Sequence, residues 1–323
     1  MGANASGKTS LGKMIQGIFN FIDSQNITTI TDNIDNRLEE ASFQIDLVDP
    51  KSYILYRVAT IIAACEDGKY SSEDIDVTIK CEKIKANDSY EVCCARLAAQ
   101  ESGKKNNYID ELKKIDELYW MFERPGTEER GYILPKKSKF FTKVLSNILR
   151  SLDSAIISVE NSTDVEDAYV INLNGKKVIV QSNEPIKSTL LSSGTKEGIA
   201  VAVLVHGIMK KKNSFYYCDE KFSYIHSDLE QAILALIISN IGEDEQLFFT
   251  THNTDILSMD LPKHSFSFLK KDIHNEKQPI EYINASTFLK RNTDSLKKAV
   301  ENDLFSTAPS VDLIYSLEDE TEI

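Results

Sequence analysis

No apolar run in this 323-residue sequence approaches the roughly 20 residues that a membrane span requires, so a membrane-spanning role is set aside. The five cysteines, Cys65, Cys81, Cys93, Cys94 and Cys218, are odd in number and form no Cys-x-x-Cys pair. That excludes a complete disulfide framework and gives no zinc-ligand spacing, and buried thiols are expected instead. Positive charge is scarce: 37 Lys and Arg against 50 Asp and Glu leave a net charge of -13. Such a balance argues against the broadly basic surface of an obligate nucleic-acid binder. The local lysine runs, Lys136, Lys137, Lys139 and Lys143, then Lys210, Lys211 and Lys212, read as solvated helix ends. The first residues are glycine-rich and polar where the apolar region of a signal peptide would stand, so a cytoplasmic location is expected. Also missing are an internal repeat, a His-x-x-x-His or Cys/His cluster, a Toprim-like acidic cluster and a nucleophile elbow.

What remains is an ordinary globular composition, 41% hydrophobic and 27% charged, long enough for one large or two moderate domains. Apolar residues Leu11, Met14, Ile15, Ile18 and Phe19 recur at helical spacing behind a glycine loop. Residues 43–48, 53–62, 75–81 and 90–95 read as short strands of an antiparallel sheet, separated by Asp-Pro, Asp-Gly and Asn-Asp turns. A helical region follows over 109–122 and, after an interruption at 125–131, over 138–152. Strands are expected again at 155–159, 168–172 and 177–181, the last two joined by Asn174-Gly175 as a hairpin signal. Beyond Gly194 the pattern alternates: helix 196–209, strand 215–218, helix 228–238, strand 247–250 and a third strand at 266–269. Alternation of this kind predicts a parallel sheet flanked by helices.

Residues 2–9 read Gly-Ala-Asn-Ala-Ser-Gly-Lys-Thr, a complete G-x-x-x-x-G-K-[ST] phosphate loop entering a helix. By chance this pattern arises in about one chain in a hundred of this length. Glycines let backbone N–H groups and the positive helix N-terminus face phosphate, Lys8 supplies a point charge, and Thr9 offers a hydroxyl to Mg²⁺. Gly2, Asn4, Ala5, Ser6, Gly7, Lys8, Thr9 and Ser10 are therefore the expected nucleotide cradle. A phosphate loop ordinarily hangs from a preceding strand, and only Met1 precedes this one. The sequence is accordingly read as starting short of that strand, which is expected beside strand 215–218. That strand, Phe-Tyr-Tyr-Cys, ends in Asp219-Glu220, as a Walker B strand does: Asp219 for the metal's water shell, Glu220 to polarise the attacking water.

Two flanking segments make the likeness specific. Leu191-Ser192-Ser193-Gly194-Thr195 looks like an ABC signature loop, and Thr250-Thr251-His252-Asn253 looks like a switch-histidine strand end. The order and spacing of all four motifs resemble the stand-alone ABC-type ATPases of bacterial abortive-infection and other anti-phage systems, relatives of the SMC, RecF and OLD ATPases. His226 after the Walker B acids fits that branch, and residues 294–299 with Phe305, Ala308 and Pro309 partly match its C-terminal segment. Val300 and Ser306 depart from it. No Q-loop glutamine has convincing context, Gln44 falling in a strand and Gln100 near a turn.

The resemblance implies an α/β P-loop NTPase of ABC-ATPase type: a mixed sheet with flanking helices, an antiparallel β subdomain and a helical insert, its first strand missing. Residues 1–42 and 155–312 would form the ATPase core, 43–154 the insert and 313–323 an acidic tail. It further implies ATP and Mg²⁺ as ligands, Thr9 and Asp219 as metal residues, and Glu220 and His252 as catalytic residues. Ser192, Ser193 and Gly194 would meet the nucleotide of a second copy in an ATP-closed homodimer. That dimer would control an effector protein encoded nearby, a nuclease or toxin. Two rivals stay open: a DNA-repair or recombination ATPase that grips DNA, and a nucleotide-dependent scaffold without turnover.

Overall fold

The computed structural model describes residues 1, 6–100, 107–115, 118–124, 131–136, 138–272, 275, 277–291 and 294–306. The chain divides into two compact units, Lys13–Tyr119 and Met1–Gly12 with Trp120–Ile323. Helix Lys139–Leu152 buries Phe141, Leu145, Ile148 and Leu149 in the core of the second-named unit.

Helix α1 (Lys8–Ser24) carries the chain into the unit Lys13–Tyr119, followed by the single turn α2 (Thr28–Thr31). Strands β1 (Ala41–Asp49), β2 (Ile54–Ile62) and β3 (Ile75–Lys83) then form an antiparallel meander. Side chains of β2 alternate across this sheet. Val58 and Ile62 pack with Phe21 and Ile22 of α1, while Leu55 on the other face packs with Cys93 and Leu97. The latter two belong to α3 (Tyr90–Ala99), where a strand is expected from Tyr, Val and paired Cys. Helix wins because Ser89 caps Val92 N–H and the buried positions are four residues apart, a helical period. A second difference concerns residues 109–122. Only α4 (Tyr108–Leu112) is helical, and Trp120–Glu123 is strand β4, its aromatic side chains suited to a half-buried sheet.

In the other unit α5 (Lys139–Leu152) leads to the antiparallel meander β5 (Ile156–Asn161), β6 (Ala168–Leu173) and β7 (Lys176–Gln181). Helix α6 (Ser193–Met209) is apolar on every face and buried from Glu197 to Ile208. Strand β8 (Phe215–Asp219), helix α7 (Ser227–Asn240) and strand β9 (Gln246–Thr250) follow. The three-stranded sheet runs β4-β8-β9, with both pairings parallel. Both edges of β8 are thus occupied, by β4 and β9, so β8 itself leaves no edge for the strand expected beside it. Strands β10 (Ser267–Lys271) and β11 (Ile280–Asn284) pair antiparallel in a sheet of their own, so the strand expected at 266–269 does not join the parallel sheet, and β11 was not foreseen. Met1 runs beside β10, its ammonium donating to Ser267 O at 2.6 Å while Leu269 N–H donates to Met1 O at 2.9 Å. Where a mixed sheet and an antiparallel subdomain are expected, the described residues hold four separate sheets, one parallel and three antiparallel. Short helices α8 (Ala285–Phe288) and α9 (Leu296–Glu301) end the described chain, and no described helix is long and apolar enough to cross a membrane.

Candidate functional site

Six side chains from three distant parts of the sequence, Lys8, Thr9, Asp219, Glu220, Thr250 and His252, meet at the C-terminal end of β8. Gly2, Asn4 and Ala5 lie outside the described residues. From Ser6 onward the phosphate loop turns through Gly7, whose φ of +93° is a left-handed conformation that side chains rarely adopt, and enters α1 at Lys8. Gly7 O accepts from Leu11 N–H, and Tyr217 of β8 donates its hydroxyl to Lys8 O at 3.0 Å, which fixes the helix start over the strand. Thr9 Oγ1 then donates to Asp219 Oδ2 at 2.7 Å, and Thr250 Oγ1 donates to Asp219 Oδ1 at 2.5 Å. Asp219 is fully buried, so both of its oxygens are held by hydroxyls from neighbouring elements.

Glu220 follows in a left-handed turn, φ +50°, a conformation that costs a residue with a side chain about 1–2 kcal/mol. The turn is held from β9: Glu220 N–H donates to Thr250 O at 3.2 Å and Thr250 Oγ1 at 3.1 Å. It brings Glu220 Oε1 to 2.8 Å from His252 Nε2 and 3.5 Å from Lys8 Nζ. Strain of this kind gathers at working sites, where the surroundings over-determine a costly conformation. Ser10 stands exposed on α1, one residue past this cluster.

The residues present fit a nucleotide with Mg²⁺. Ser6 Oγ is buried and finds no hydrogen-bond partner among the described residues, an acceptor and donor left for a ligand. Thr9 and Asp219 put one hydroxyl and one carboxylate side by side, and Mg²⁺ is ordinarily held by one or two such groups together with substrate phosphates.

Ser192, Ser193 and Gly194 form a second constellation at the start of α6. Ser192 is the N-cap, accepting from Thr195 N–H at 3.1 Å, and Ser193 is exposed. A side chain at Gly194 would meet Tyr224 O at 2.8 Å, so glycine is what lets the helix start pack there. Ser193, Lys196 and Tyr224 border a cavity of about 450 Å³. His226 caps α7, its Nδ1 accepting from Asp228 N–H.

Several charged residues near the site lie outside the expected set. Lys221, next to Glu220, is fully buried with its Nζ 2.8 Å from Glu197 Oε2 of α6. Glu123, last in β4 and opposite Cys218, is buried nearby, and that burial pushes its carboxyl up to about 7, partly opposed by the positive charge of Lys221. Glu230 of α7 lies behind the turn that carries His252. An acid at position 230 within the stripe Ile233, Leu234, Ile237 was a readable signal; for Lys221 there was none.

No protein-family model matches this sequence, and no curated protein does. Among solved structures the chain is similar to an SMC head bound to the C-terminal winged-helix domain of ScpA, at 13% identity over 89% of this chain and 90% of that one, TM-score 0.49. It is also similar to the SMC head domain from Thermotoga maritima, at 15% identity over 88% of each chain, TM-score 0.44. Both likenesses are distant, and the role of the residues around Glu220 is read from their own geometry.

Proposed function

We propose that this chain binds ATP with Mg²⁺ and hydrolyses it as an ABC-type ATPase. The supporting observation is the Glu220 carboxylate held between His252 and Lys8, beside an Asp219 bonded to Thr9. In this reading residues Ser6 to Ser10, with the preceding Gly2, Asn4 and Ala5, hold the phosphates, and Thr9 and Asp219 hold Mg²⁺. When bound, Mg²⁺ offsets the negative charge of the reacting phosphates. Glu220 takes the proton from the attacking water, and His252 keeps that carboxylate aimed. Two copies share each site through Ser192, Ser193 and Gly194. Their opening and closing governs a partner effector, a nuclease or toxin, in anti-phage defence, a role that rests on the resemblance of the motif set.

The test is phosphate release and ATP titration on the purified chain. Lys8→Ala removes a charge-assisted contact worth about 1.5–3 kcal/mol, so ATP affinity should fall by about 10- to 100-fold. A wild-type chain that binds no ATP would overturn the reading.

A further inference from the structure

The chemistry above leaves Glu230 unused, although it is a carboxylate only 2% exposed. Burying a carboxylate is costly unless its oxygens are bonded, and here both are. Thr251 Oγ1 donates to Oε1 at 2.7 Å and Asn253 Nδ2 donates to Oε2 at 2.7 Å. These donors are the two residues that flank His252. The turn is also closed from within, Asn253 N–H donating to Thr251 Oγ1 at 2.9 Å, and tied to α7 again by Asn253 Nδ2 to Ser227 Oγ at 2.9 Å. Ser227 in turn donates to Asp255 Oδ2 at 2.8 Å, and Lys297 of α9 donates to Asp255 Oδ1 at 3.0 Å.

His252 differs from its neighbours in being open to solvent: its side chain is 40% exposed. Surrounding apolar packing therefore cannot be what holds the imidazole at Glu220. What is fixed is the backbone on each side of it, and one carboxylate fixes both sides.

We propose that Glu230 is the positioning residue of His252, gripping Thr251 and Asn253 so that the imidazole meets Glu220. This rests on the reading of Glu220 and His252 as hydrolytic groups. A group held an ångström out of place loses about 100-fold in rate, which is the scale of effect expected.

The experiment compares Glu230→Leu, which keeps volume and loses both acceptors, with Glu230→Gln, which can still accept from Asn253 while donating to Thr251. In the nucleotide-free protein, the His252 ring resonances should move in Glu230→Leu and those of His206 and His264, on other elements, should not. In steady state, kcat should fall by about 10- to 100-fold with KM within about twofold, and Glu230→Gln should recover most of the loss. The double variant Glu230→Leu/His252→Ala should be no slower than His252→Ala alone, because both changes remove one function. Unmoved His252 resonances, or losses that multiply in the double variant, would overturn the proposal. If Glu230→Leu does not fold, Thr251→Val and Asn253→Ala each remove one of the two bonds, and the same resonances decide. Should the wild type release no phosphate, the ATPase reading fails, while the resonances still report whether Glu230 holds the turn.

Discussion

Glu220 Oε1 lies 2.8 Å from His252 Nε2 and shares that oxygen with Lys8 Nζ at 3.5 Å. One carboxylate oxygen is thereby aimed by groups from the turn after β9 and from α1, and the turn beneath it is held by Thr250. An arrangement that spends backbone strain to present a carboxylate is suited to proton abstraction more than to structural support.

Glu220→Gln keeps the shape and removes the base. Turnover should drop by about 100- to 10,000-fold, whereas ATP affinity in an equilibrium titration should stay within a few-fold of wild type. A variant that still releases phosphate at the wild-type rate would move the base to another residue.

Lys221 and Glu197 test what holds the end of β8 to α6. Both side chains are buried, 1% and 7% exposed, with 2.8 Å between charges. Lys221→Met takes the cation away from a buried carboxylate and should cost about 3–5 kcal/mol of unfolding free energy. Lys221→Met combined with Glu197→Leu removes both charges and should recover much of that in urea titrations. Equal stability of the single and double variants would show that the pair is not held as a unit.

Glu123 supplies a pH dependence whose sign is fixed by its environment. Burial raises its carboxyl from the ordinary 4.5 to about 7. Between those values the folded chain binds a proton that the unfolded chain has released, so stability falls as pH rises through this window and levels off above it. At about 1.36 kcal/mol for each pH unit, the loss amounts to about 3 kcal/mol. Glu123→Gln should flatten the curve, gaining stability over wild type at pH 8 and little at pH 5. Parallel curves for the two proteins would place the titration elsewhere.

The parts of the site that could be read in the sequence are those whose chemistry is local. A phosphate loop needs its glycines, Lys8 and Thr9 in one run, and Asp219-Glu220 must stand together at a strand end. Thr9 and Asp219, 210 residues apart, were each expected to serve a metal, and the structure joins them by a direct hydrogen bond that the sequence did not announce. The charged residues behind the site were hidden for different reasons. Glu123 ends a four-residue strand in a stretch whose apolar residues fit either period, so it read as helix. A lysine after two acids reads as surface, and Lys221 is buried only because α6 brings Glu197 to it. In the other unit, Tyr90–Ala99 misled because composition favoured a strand while the cap at Ser89 and the four-residue spacing of Cys93 and Leu97 favoured a helix. Sheet partners were least legible of all: nothing in β10 alone tells that it pairs with β11 and with Met1.

The shared-site mechanism is decided by mixing two inactive chains. Ser192 already uses its hydroxyl to cap α6, leaving Ser193, exposed, and Gly194, packed on Tyr224 O, at the start of a 17-residue helix. The first N–H groups of such a helix lack partners within it and favour an anion. The resemblance to ABC signature loops implies that this anion is the nucleotide of a second copy, so each complete site needs Lys8, Asp219, Glu220 and His252 from one chain with Ser193 and Gly194 from the other. A two-fold dimer completes both sites at once, as isologous interfaces do. Lys8→Ala spoils the phosphate side, and Ser193→Arg, an exposed position that tolerates size, spoils the signature side. Each variant alone should be inactive. In a mixture, about half of the dimers are mixed if association is random, and each of these carries one intact composite site, so about a quarter of the wild-type ATPase should return. Mixed dimers demonstrated by differential tagging, with no recovered phosphate release, would reject the shared site or require both sites to fire together. A mixture of wild type with Lys8→Ala separates these outcomes: its mixed dimer keeps one intact site whether or not the signature residues come from the second copy, so loss of that site's activity shows that both sites must fire together, and its retention leaves rejection of the shared site.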